Sequence, residues 1–448
     1  MVRVQSIETR SSWTVAGVVL VIMALSFGGP WITIVALKAI AAEMGGLRSI
    51  PSLASSLSWA GVGAGGIVMG AVAEKVGVRW TTMFGSLMIL AGLALSTFGG
   101  AWQLYLGQGL LMGVLGIGSM NAPFYVYVSQ WFDRHRGSAL ALISSGAYMA
   151  GAVRPPIFER IISHFGWRQT MLSFGVLEVA VVLPLAAIFL RPAPEMPLPA
   201  GRLAASHRAK RVLGWPPNLV FSLLAVASVF CCMPMAMPQA HLPALCSDLG
   251  IAASHGAAML SVLLGTAFVS RQFWGWISDR FGGLNTALVG SAVQMLAISA
   301  FVVTQDEIGL FTVAAASGFG FAGIIPANIL ALRELFPASE AYWRIPTFLL
   351  CSGTGMAVGA WLAGVLYDHF GFYAPAFGAA VAANAVNFAI ISVLVLRQRS
   401  RFGPMSLLDD AALGSALRAV RAQAPRAECR HQPQCVIPLP SIATRSQQ

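Results

Sequence analysis

The chain has 448 residues, of which 57% are hydrophobic and only 10% are charged, and its mean hydropathy is +0.73. A soluble domain usually carries about 25% charged residues, so this composition excludes a water-soluble globule and predicts a protein embedded in a bilayer. The formal net charge of +11 favours contact with anionic lipid and not with nucleic acid, because no continuous basic helix is present to follow a phosphate backbone.

Twelve apolar segments follow one another along the chain, each close to the roughly 20 residues that a membrane-spanning helix needs. The first begins near Trp13 and continues to about Leu37, which is too long for the core of a signal peptide, so we expect it to be retained. The centres lie near Leu25, Val62, Ile89, Met112, Ala147, Ala180, Leu224, Leu263, Val293, Gly318, Met356 and Val386. The sequence therefore predicts an all-α membrane protein.

A Pro-rich, basic and polar stretch separates the first six segments from the last six. It predicts an N-terminal six-helix bundle at residues 13–191 and a C-terminal one at 215–400, which we call the N-half and the C-half. Residues 1–12 are then a cytoplasmic N-terminus, 192–214 a cytoplasmic linker and 401–448 an Arg-rich cytoplasmic tail.

The distribution of Lys and Arg predicts the orientation of the chain in the membrane. Nearly all basic residues outside the spans fall on the side of the two termini, while Lys38, Arg48, Arg160 and Arg168 fall on the other. Because cytoplasmic loops carry the excess of positive charge, both termini are expected in the cytoplasm, with the protein in the cell (inner) membrane.

The two halves repeat one another in sequence. Gly70 and Gly275 begin two similar charged turns, and His164 and His369 begin the segments HFGW and HFGF at the same separation. Two pseudo-symmetric bundles of this kind place a substrate site at their interface, near the midplane of the bilayer.

The charged turns, GAVAEKVGVRW and GWISDRFGG, follow the second and eighth predicted spans. Their glycines allow tight turning and close helix approach, and an acid there can face a helix N-terminus and a neighbouring Arg. We expect them to latch the helices in one conformation and release them in another. The candidates for this gating are Gly70, Glu74, Lys75, Gly77, Arg79, Gly275, Asp279, Arg280 and Gly282.

Both turns resemble the signature loop of the major facilitator superfamily, Gly-x-x-x-Asp-Arg/Lys-x-Gly-Arg/Lys-Arg/Lys. The second copy keeps Gly275, Asp279, Arg280 and Gly282 but lacks the trailing bases, and the first has Glu74 in place of Asp. This resemblance implies a twelve-span secondary transporter that works by alternating access, and neither an enzyme nor a cofactor protein.

Three further segments resemble the monocarboxylate and oxalate/formate branch of that superfamily: FGGPWITIVALKAIAAEMG, PMAMPQAHLPALCSDLGI and SRQFWGWISDRFG. The resemblance implies a small organic anion as substrate, carried with a proton or by exchange. Animal monocarboxylate carriers have a Lys close to the first-span Pro, and an Asp four residues before the Arg of the eighth span. In this chain Trp31 follows the Pro, and Ala267 lies four residues before Arg271. Oxalate exchangers use a Lys in the eleventh span, which here has none.

Arg271 is the strongest candidate for binding a substrate carboxylate. It lies eight residues before Asp279, or about 12 Å into the membrane along a helix. An Arg at this depth costs about 2.5–3.5 kcal/mol or more and normally faces a partner or a wet cavity. Its planar guanidinium matches a carboxylate, although a structural pair elsewhere in the bundle is the alternative.

Other polar residues are candidates for substrate binding with a structural alternative for each. Arg154 offers a second cation or extends to the outer interface, and the following Pro155 and Pro156 are expected to open the helix there. Asn121, Tyr125 and Asn328 lie on the fourth and tenth spans, which line the cavity in the superfamily, and Tyr148 suits an aromatic wall. Each of these side chains equally suits packing between helices.

Two ionisable residues are candidates for proton coupling. His241 is predicted to end the seventh span among helix-disturbing prolines, and its titration range suits proton transfer, although packing is the commoner role. Glu178 lies deep in the sixth span, where an acid marks a functional site by default, although the family places this span at the periphery.

Two other functions remain open from the sequence. A sparsely charged interior rich in Met and aromatic residues also suits an efflux pump for lipophilic compounds. A non-transporting solute sensor that signals through the Arg-rich tail is the other. The six cysteines form no C-x2-C pairs, and no metal-ligand cluster or catalytic triad is apparent, so no metal is predicted.

Overall fold

The structure is a computed structural model that describes residues 8–132, 136–192, 211–337 and 340–401. Most of the predicted linker and tail, together with residues 1–7 and the side chain of Asp279, therefore lies outside the described part. Within the described ranges the chain is helical apart from loops and an isolated β-bridge between Val212 and Trp215.

Eleven helices in the described ranges are long and apolar enough to cross a membrane. One of them, Leu142–Phe189, has 48 residues, which at 1.5 Å per residue is more than twice the roughly 30 Å of a hydrocarbon core. It is interrupted at Gly166, whose φ of 80° is readily adopted only by glycine. The helix therefore crosses twice, and the predicted twelve-span all-α fold is confirmed.

We number the spans in chain order. They are span 1, Arg10–Val35; span 2, Ser49–Val76; span 3, Val78–Ser96; span 4, Ala101–Ser129; span 5, 142–165; span 6, 167–189; span 7, Pro217–Asp248; span 8, Ala253–Ser278; span 9, Gly283–Val303; span 10, Glu307–Leu335; span 11, Trp343–Phe370; and span 12, Ala374–Ser400. A helix at Leu37–Glu43 follows span 1, and a helix at Arg136–Ser144 leads into span 5.

Span 1 is divided into two helices, Arg10–Ser26 and Gly29–Val35. The division has a covalent cause, because Pro30 has no N–H to donate to the carbonyl one turn earlier. Span 10 is divided in the same way between Phe321 and Ile324. Broken helices at membrane depth are a feature of transporter sites, since they free backbone groups in the interior.

The prolines of spans 5 and 7 do not break their helices, which corrects two expectations. The helix runs without interruption through Pro155 and Pro156, and Gly166 is its non-helical residue. Span 7 continues through its three prolines to Asp248, so His241 lies inside the span and not at its end. Neighbouring membrane helices hold such segments straight enough to tolerate a missing donor.

Small residues bring the helices of each half together. A Cβ on Gly61 in span 2 would lie 2.5 Å from the carbonyl oxygen of Gly109 in span 4. Close backbone approach of this kind is how helices associate in lipid, where burial of apolar surface gives no net gain. Between the halves, span 2 packs on span 11 and span 5 on span 8. These two pairings form the interface where the substrate site is expected.

Candidate functional site

Arg271 faces an aromatic ring across the interface between the halves. It is partly exposed on span 8, and its guanidinium carbon lies 4.8 Å from the ring centroid of Tyr148 on span 5. Among the carboxylates whose side chains the structure describes, none lies within salt-bridge distance of Arg271. The guanidinium therefore keeps its donors available for a ligand.

Two more of the predicted binding residues lie beside this pair. Tyr125 on span 4 hydrogen-bonds with Ser144 and interacts electrostatically with Arg271 and Tyr148. Asn121, partly exposed, precedes Tyr125 by four residues and so lies one helical turn away on the same face. Spans 4, 5 and 8 thus bring together one cation and several hydrogen-bonding groups. We call Arg271, Tyr125 and Tyr148 the Arg271 cluster.

Asn328 of span 10 is buried and its side-chain oxygen has no hydrogen-bond partner within the described part of the chain. A buried polar atom left unpaired costs free energy. Among the described residues, no hydrogen bond, ion pair or ring contact joins Asn328 to the Arg271 cluster.

One layer beyond the Arg271 cluster the two halves are packed together. Gly151 of span 5 is so close to Trp31 of span 1 and Leu264 of span 8 that a Cβ there would lie 2.7 Å from the indole. Next to this contact a cavity of about 10 Å³ remains, hardly enough for one water molecule. Its lining comes from both halves: Trp31, Ile34, Ser55 and Trp59, and Ala236, Gln239, Ala240, Met356 and Ala360.

Polar contacts close the same end of the interface. Arg48, just before span 2, holds both carboxylate oxygens of Asp248 at the end of span 7, with N–O distances of 2.5 and 2.6 Å. Lys38 lies 3.1 Å from the same carboxylate. The Arg48 guanidinium also packs 3.7 Å from the ring centroid of Tyr367. We call this end of the molecule the Arg48 end.

A second carboxylate of the C-half binds the start of span 2. The backbone N–H groups of Arg48 and Ser49 donate to the two oxygens of Asp368, at 2.8 and 2.9 Å. A negative charge is favourable at a helix N-terminus, where such donors are otherwise unsatisfied. Burial lowers the pKa of Arg48, but its hydrogen bonds to Asp248 and Tyr373 outweigh burial and raise the pKa, so the charge persists.

His241 lies directly behind this cluster and is fully buried. Its Nε2 is 2.9 Å from the carbonyl of Ala360, which can only accept, so Nε2 carries the hydrogen. The Tyr373 hydroxyl then donates to Nδ1 at 2.9 Å while it accepts from Arg48 at 2.8 Å. The imidazole is therefore joined to the contacts between the halves.

Glu178 and Arg154 lie inside the N-half. The Glu178 carboxylate is completely buried and accepts from Ser26 of span 1 at 3.0 Å and from Ser86 of span 3 at 2.6 Å. Arg154 donates to the carbonyl of Leu25 at 2.8 Å and interacts electrostatically with Glu178. Both residues therefore hold the end of the first helix of span 1, and the guanidinium of Arg154 does not reach outward to the membrane surface.

The two charged turns have the same backbone conformation but different partners. Gly77 and Gly282 have φ of 93° and 77°, which the expected glycines permit. In the C-half, Glu334 accepts from the N–H of Gly283 at 3.2 Å. In the N-half, Glu74 has no hydrogen bond or salt bridge to the described residues. We call the end of the molecule that carries the turns the Gly282 end.

A cavity of about 510 Å³ opens beside the turn of the N-half. Four gating candidates line it, namely Gly70, Glu74, Gly77 and Arg79. No neighbouring atom of the described residues lies within 4 Å of a Cβ position at Gly70 or Gly275, so no described helix approaches them closely in this conformation. The Arg280 guanidinium packs over the ring of Trp276 at 4.1 Å.

Sequence reasoning missed the residues that close the Arg48 end. The sequence places Arg48 only among the basic residues of the less basic side, and it indicates no role for Asp248, Asp368 or Tyr373. Their signal in the sequence is weak, although Asp248 and Asp368 end spans 7 and 11, the spans that pack against each other at this interface.

Comparison with known families finds a match to the model described as the Major Facilitator Superfamily, at residues 19–306 and 224–422. Among curated proteins the chain is similar to "Monocarboxylate transporter 13" of Bos taurus, with 27% identity over 74% of this chain and 76% of that protein. It is also similar to "MFS-type transporter 1" of Ophiocordyceps sp., with 23% identity over 61% of this chain and 60% of that protein.

Solved structures show the same fold at low sequence identity. A variant of the nucleoside transporter NupG matches with a TM-score of 0.66 and 14% identity, over 86% of this chain and 99% of that one. A bacterial homolog of the human lysosomal transporter Spinster, in an inward-facing conformation, matches with a TM-score of 0.61 and 14% identity, over 87% and 96%.

Proposed function

The chain belongs to the major facilitator superfamily, and from that premise we propose that it carries small organic anions of the monocarboxylate type by alternating access. Membership makes it a multi-pass membrane transporter of a small molecule and not an enzyme. The two halves rock about a site between them, so that the site faces one side of the membrane at a time.

The Arg271 cluster is the observation that carries this proposal. A guanidinium in the membrane is tolerated when it faces a partner or a wet cavity, and Arg271 has a ring on one side but no described carboxylate. Arginine binds a carboxylate through two parallel hydrogen bonds, which gives both energy and orientation. Tyr125 and Tyr148 supply hydroxyl groups and ring faces for the rest of a small anion.

The relatives support an anion over a lipophilic compound. The name of the bovine relative specifies a monocarboxylate, which a single cation at the site suits. A dicarboxylate would favour a second cation, but Arg154 is engaged with Leu25 inside the N-half. We accordingly propose Asn121 and Asn328 as neutral polar contacts of the site and Arg154 as a residue that supports span 1.

The orientation and the conformation form part of the same proposal. With both termini in the cytoplasm and the protein in the cell (inner) membrane, the Arg48 end faces outward and the Gly282 end inward. The contacts of Arg48 with Asp248 and Asp368 support a state closed to the outside. The charged turns, Glu74 to Arg79 and Asp279 to Gly282, would then form their latch in the opposite, outward-open state.

Transport is driven by a proton gradient or by exchange, with His241 and Glu178 as the residues available for coupling. The test is uptake of labelled small carboxylates into liposomes that contain the purified protein, with and without an inward proton gradient. We expect saturable uptake, and we expect Arg271→Gln to raise KM by roughly 10- to 100-fold, as removal of a charged hydrogen-bond partner does. Arg271→Lys keeps the charge but loses the planar guanidinium, so its KM should lie between those of the unmodified protein and Arg271→Gln.

Arg399→Gln is the matched control, because it removes the same charge from an exposed position near the end of span 12. Its KM should equal that of the unmodified protein. The absence of uptake for every carboxylate, even with the same compound preloaded inside, would refute the anion assignment. Equal effects of the substitutions at positions 271 and 399 would show that Arg271 does not bind the substrate.

A further inference from the structure

The contact between the third and last spans of each half occurs twice, with different chemistry. In the N-half, Ser86 of span 3 donates to the carboxylate of Glu178 in span 6 at 2.6 Å. In the C-half, Asn384 and Asn387 of span 12 donate to the carbonyl and hydroxyl oxygens of Ser291 in span 9, at 2.9 and 2.8 Å. Each serine lies at the same distance along the chain from the charged turn that precedes its span.

The C-half shows that uncharged amides are sufficient to join these spans. Asn384 and Asn387 are as completely buried as Glu178. A buried carboxylate is disfavoured relative to a neutral side chain unless a partner compensates its charge. Packing alone therefore does not account for an acid at position 178.

The surroundings of Glu178 contain one compensating charge. The groups that face the carboxyl are Ser26 from span 1, Ser86 from span 3 and Arg154 from span 5, and Arg154 is the charged one among the described residues. Span 11, which occupies the place of span 5 in the C-half, has no charged residue between Arg344 and Asp368. The cation and the acid therefore occur together in the N-half, and both are missing from the equivalent spans of the C-half.

We propose that Glu178 is the proton-binding carboxyl of the carrier and that Ser26 and Met120 adapt its hydrogen bonds to both protonation states. When Glu178 is ionised, Ser26 donates to its Oε1. When a proton binds to Oε1, the carboxyl donates to the Ser26 oxygen, and the Ser26 hydrogen turns to the sulfur of Met120, already 3.0 Å away. Ser86 continues to donate to Oε2 in either state.

The protonation acts on the break in span 1. Glu178 binds Ser26 and Arg154 binds the carbonyl of Leu25, which are the last two residues of the first helix of that span. A Cβ on Gly28, inside the break, would overlap the Arg154 guanidinium, so glycine is required for this approach. Beyond the break, Trp31 packs on span 5 at Gly151 and lines the small cavity between the halves. Reversal of the Ser26 hydrogen bond therefore reaches the surface on which the halves move.

His241 is a poorer proton acceptor on the same grounds. Its Nε2 donates to Ala360, and its Nδ1 accepts from Tyr373, whose oxygen is engaged by Arg48. The charged groups around it are Arg48 and Asp368. A proton on Nδ1 would meet the hydroxyl hydrogen of Tyr373, and no second acceptor for that hydrogen is found among the described residues. Protonation of His241 at Nδ1 would therefore disrupt the hydrogen bond between Arg48 and Tyr373.

The inference rests on the proposed function, and it implies that one proton accompanies each monocarboxylate without net movement of charge. The test uses the full-length protein in liposomes and the carboxylate that the uptake panel selects. Two quantities are measured, accumulation driven by an inward proton gradient and exchange between equal internal and external concentrations. For Glu178→Gln we expect gradient-driven accumulation to fall at least 10-fold while exchange stays within about 3-fold of the unmodified protein.

Asn384→Ala is the matched control, since it removes the equivalent contact of the C-half but no ionisable group. It should keep the ratio of accumulation to exchange, even if less protein is recovered. Met120→Leu removes the alternative acceptor without any change of charge and tests the site if Glu178→Gln does not fold. It disfavours the protonated state, so the pH midpoint of uptake should move to lower pH by roughly half a unit.

The outcomes separate the two proposals. If the unmodified protein exchanges no carboxylate, the proposed function is wrong and the inference fails with it. If exchange occurs but Glu178→Gln still accumulates substrate against the gradient, or Met120→Leu leaves the midpoint unchanged, the inference alone is overturned. A loss of gradient dependence in His241→Gln but not in Glu178→Gln would transfer the role to His241.

Discussion

The two ends of the molecule differ in how their polar side chains are paired. At the Arg48 end, several of the pairs join one half to the other, through Arg48 with Asp248, Asp368 and Tyr373 and through Lys38 with Asp248. At the Gly282 end, the pairs that the structure shows stay within one half. Examples there are Arg344 with Glu340 and Asn218, and Glu334 with Gly283.

This difference shows where the energy that distinguishes the two transport states is concentrated. Pairs within a half move with that half and contribute equally to both states. Pairs between the halves exist only while that end is closed, so their loss or gain shifts the population of states by their full free energy. Charges that cross the interface are therefore the sites where a single substitution changes the conformation and not only the stability.

The largest effect is expected from Arg48→Gln. The Arg48 side chain is only 6% exposed, and its removal leaves Asp248 with Lys38 and breaks the hydrogen bond to Tyr373. Breaking a buried pair from one side costs up to about 3–5 kcal/mol, and the cost is smaller here because Asp248 is 22% exposed and keeps Lys38; it falls on the closed state alone. Opening is measured by labelling Gln239→Cys, at the sealed interface, with a membrane-impermeant thiol reagent in a background without native cysteines. We expect labelling to accelerate at least 10-fold.

Arg344→Gln is the control for Arg48→Gln. Its side chain is 3% exposed and pairs with Glu340 and Asn218 inside the C-half. Arg344→Gln should lower Tm about as much as Arg48→Gln does, because a similarly buried pair is broken. It should leave the labelling of position 239 unchanged. Faster labelling in both variants would mean that general loosening, and not a specific closure at the Arg48 end, explains the result.

The fold could be predicted from sequence because its signals are local. Span length and the glycines of the charged turns both depend on neighbouring residues. Arg271, Tyr125 and Tyr148 are separate candidates from the sequence, through depth in the membrane and the family resemblance, and their proximity is not predicted. The contacts of Arg48 could not be predicted, since hydropathy gives the depth of a residue but not the helix face it occupies. Pairing Arg48 with Asp248 or Tyr373 requires the tertiary arrangement of segments distant in sequence.

The same limit explains the outcomes for single residues. Pro155 and Pro156 suggested an open helix, but neighbouring helices keep the chain regular there. Glu178 seemed peripheral because of its span, whereas the structure turns its side chain inward to Ser26 and Ser86. The packing around Pro155 and Pro156 determined the shape of the helix there. The direction of the Glu178 side chain determined its partners.

A smaller effect is expected at the Gly282 end, where the turns can be compared with each other. Glu334→Gln weakens the hydrogen bond to the N–H of Gly283 and should lower the free energy of unfolding by up to about 1 kcal/mol, because the amide oxygen is a weaker acceptor. Glu74→Gln should leave Tm unchanged in the conformation described here, since Glu74 has no partner among the described residues. Thermal unfolding in detergent measures both. A larger loss for Glu74→Gln would contradict the difference between the turns.

The smallest effect concerns a pair at the Arg48 end that does not cross the interface. Glu43 accepts from Trp167 at 2.9 Å and pairs with Arg168, all within the N-half. Burial raises the pKa of Glu43, but the hydrogen bonds from Trp167 and Arg168 outweigh it and leave the pKa below its ordinary value of 4.5. A carboxyl with a lowered pKa contributes stability above its unfolded pKa and loses it as the pH falls through the folded value.

Because the pair is largely exposed, Glu43→Gln should cost only about 0.2–1 kcal/mol at pH 7. The difference in Tm from the unmodified protein should shrink below pH 4.5, and the labelling of position 239 should not change at any pH. A labelling change would show that this end responds to charge as such, whether or not the charge joins the two halves.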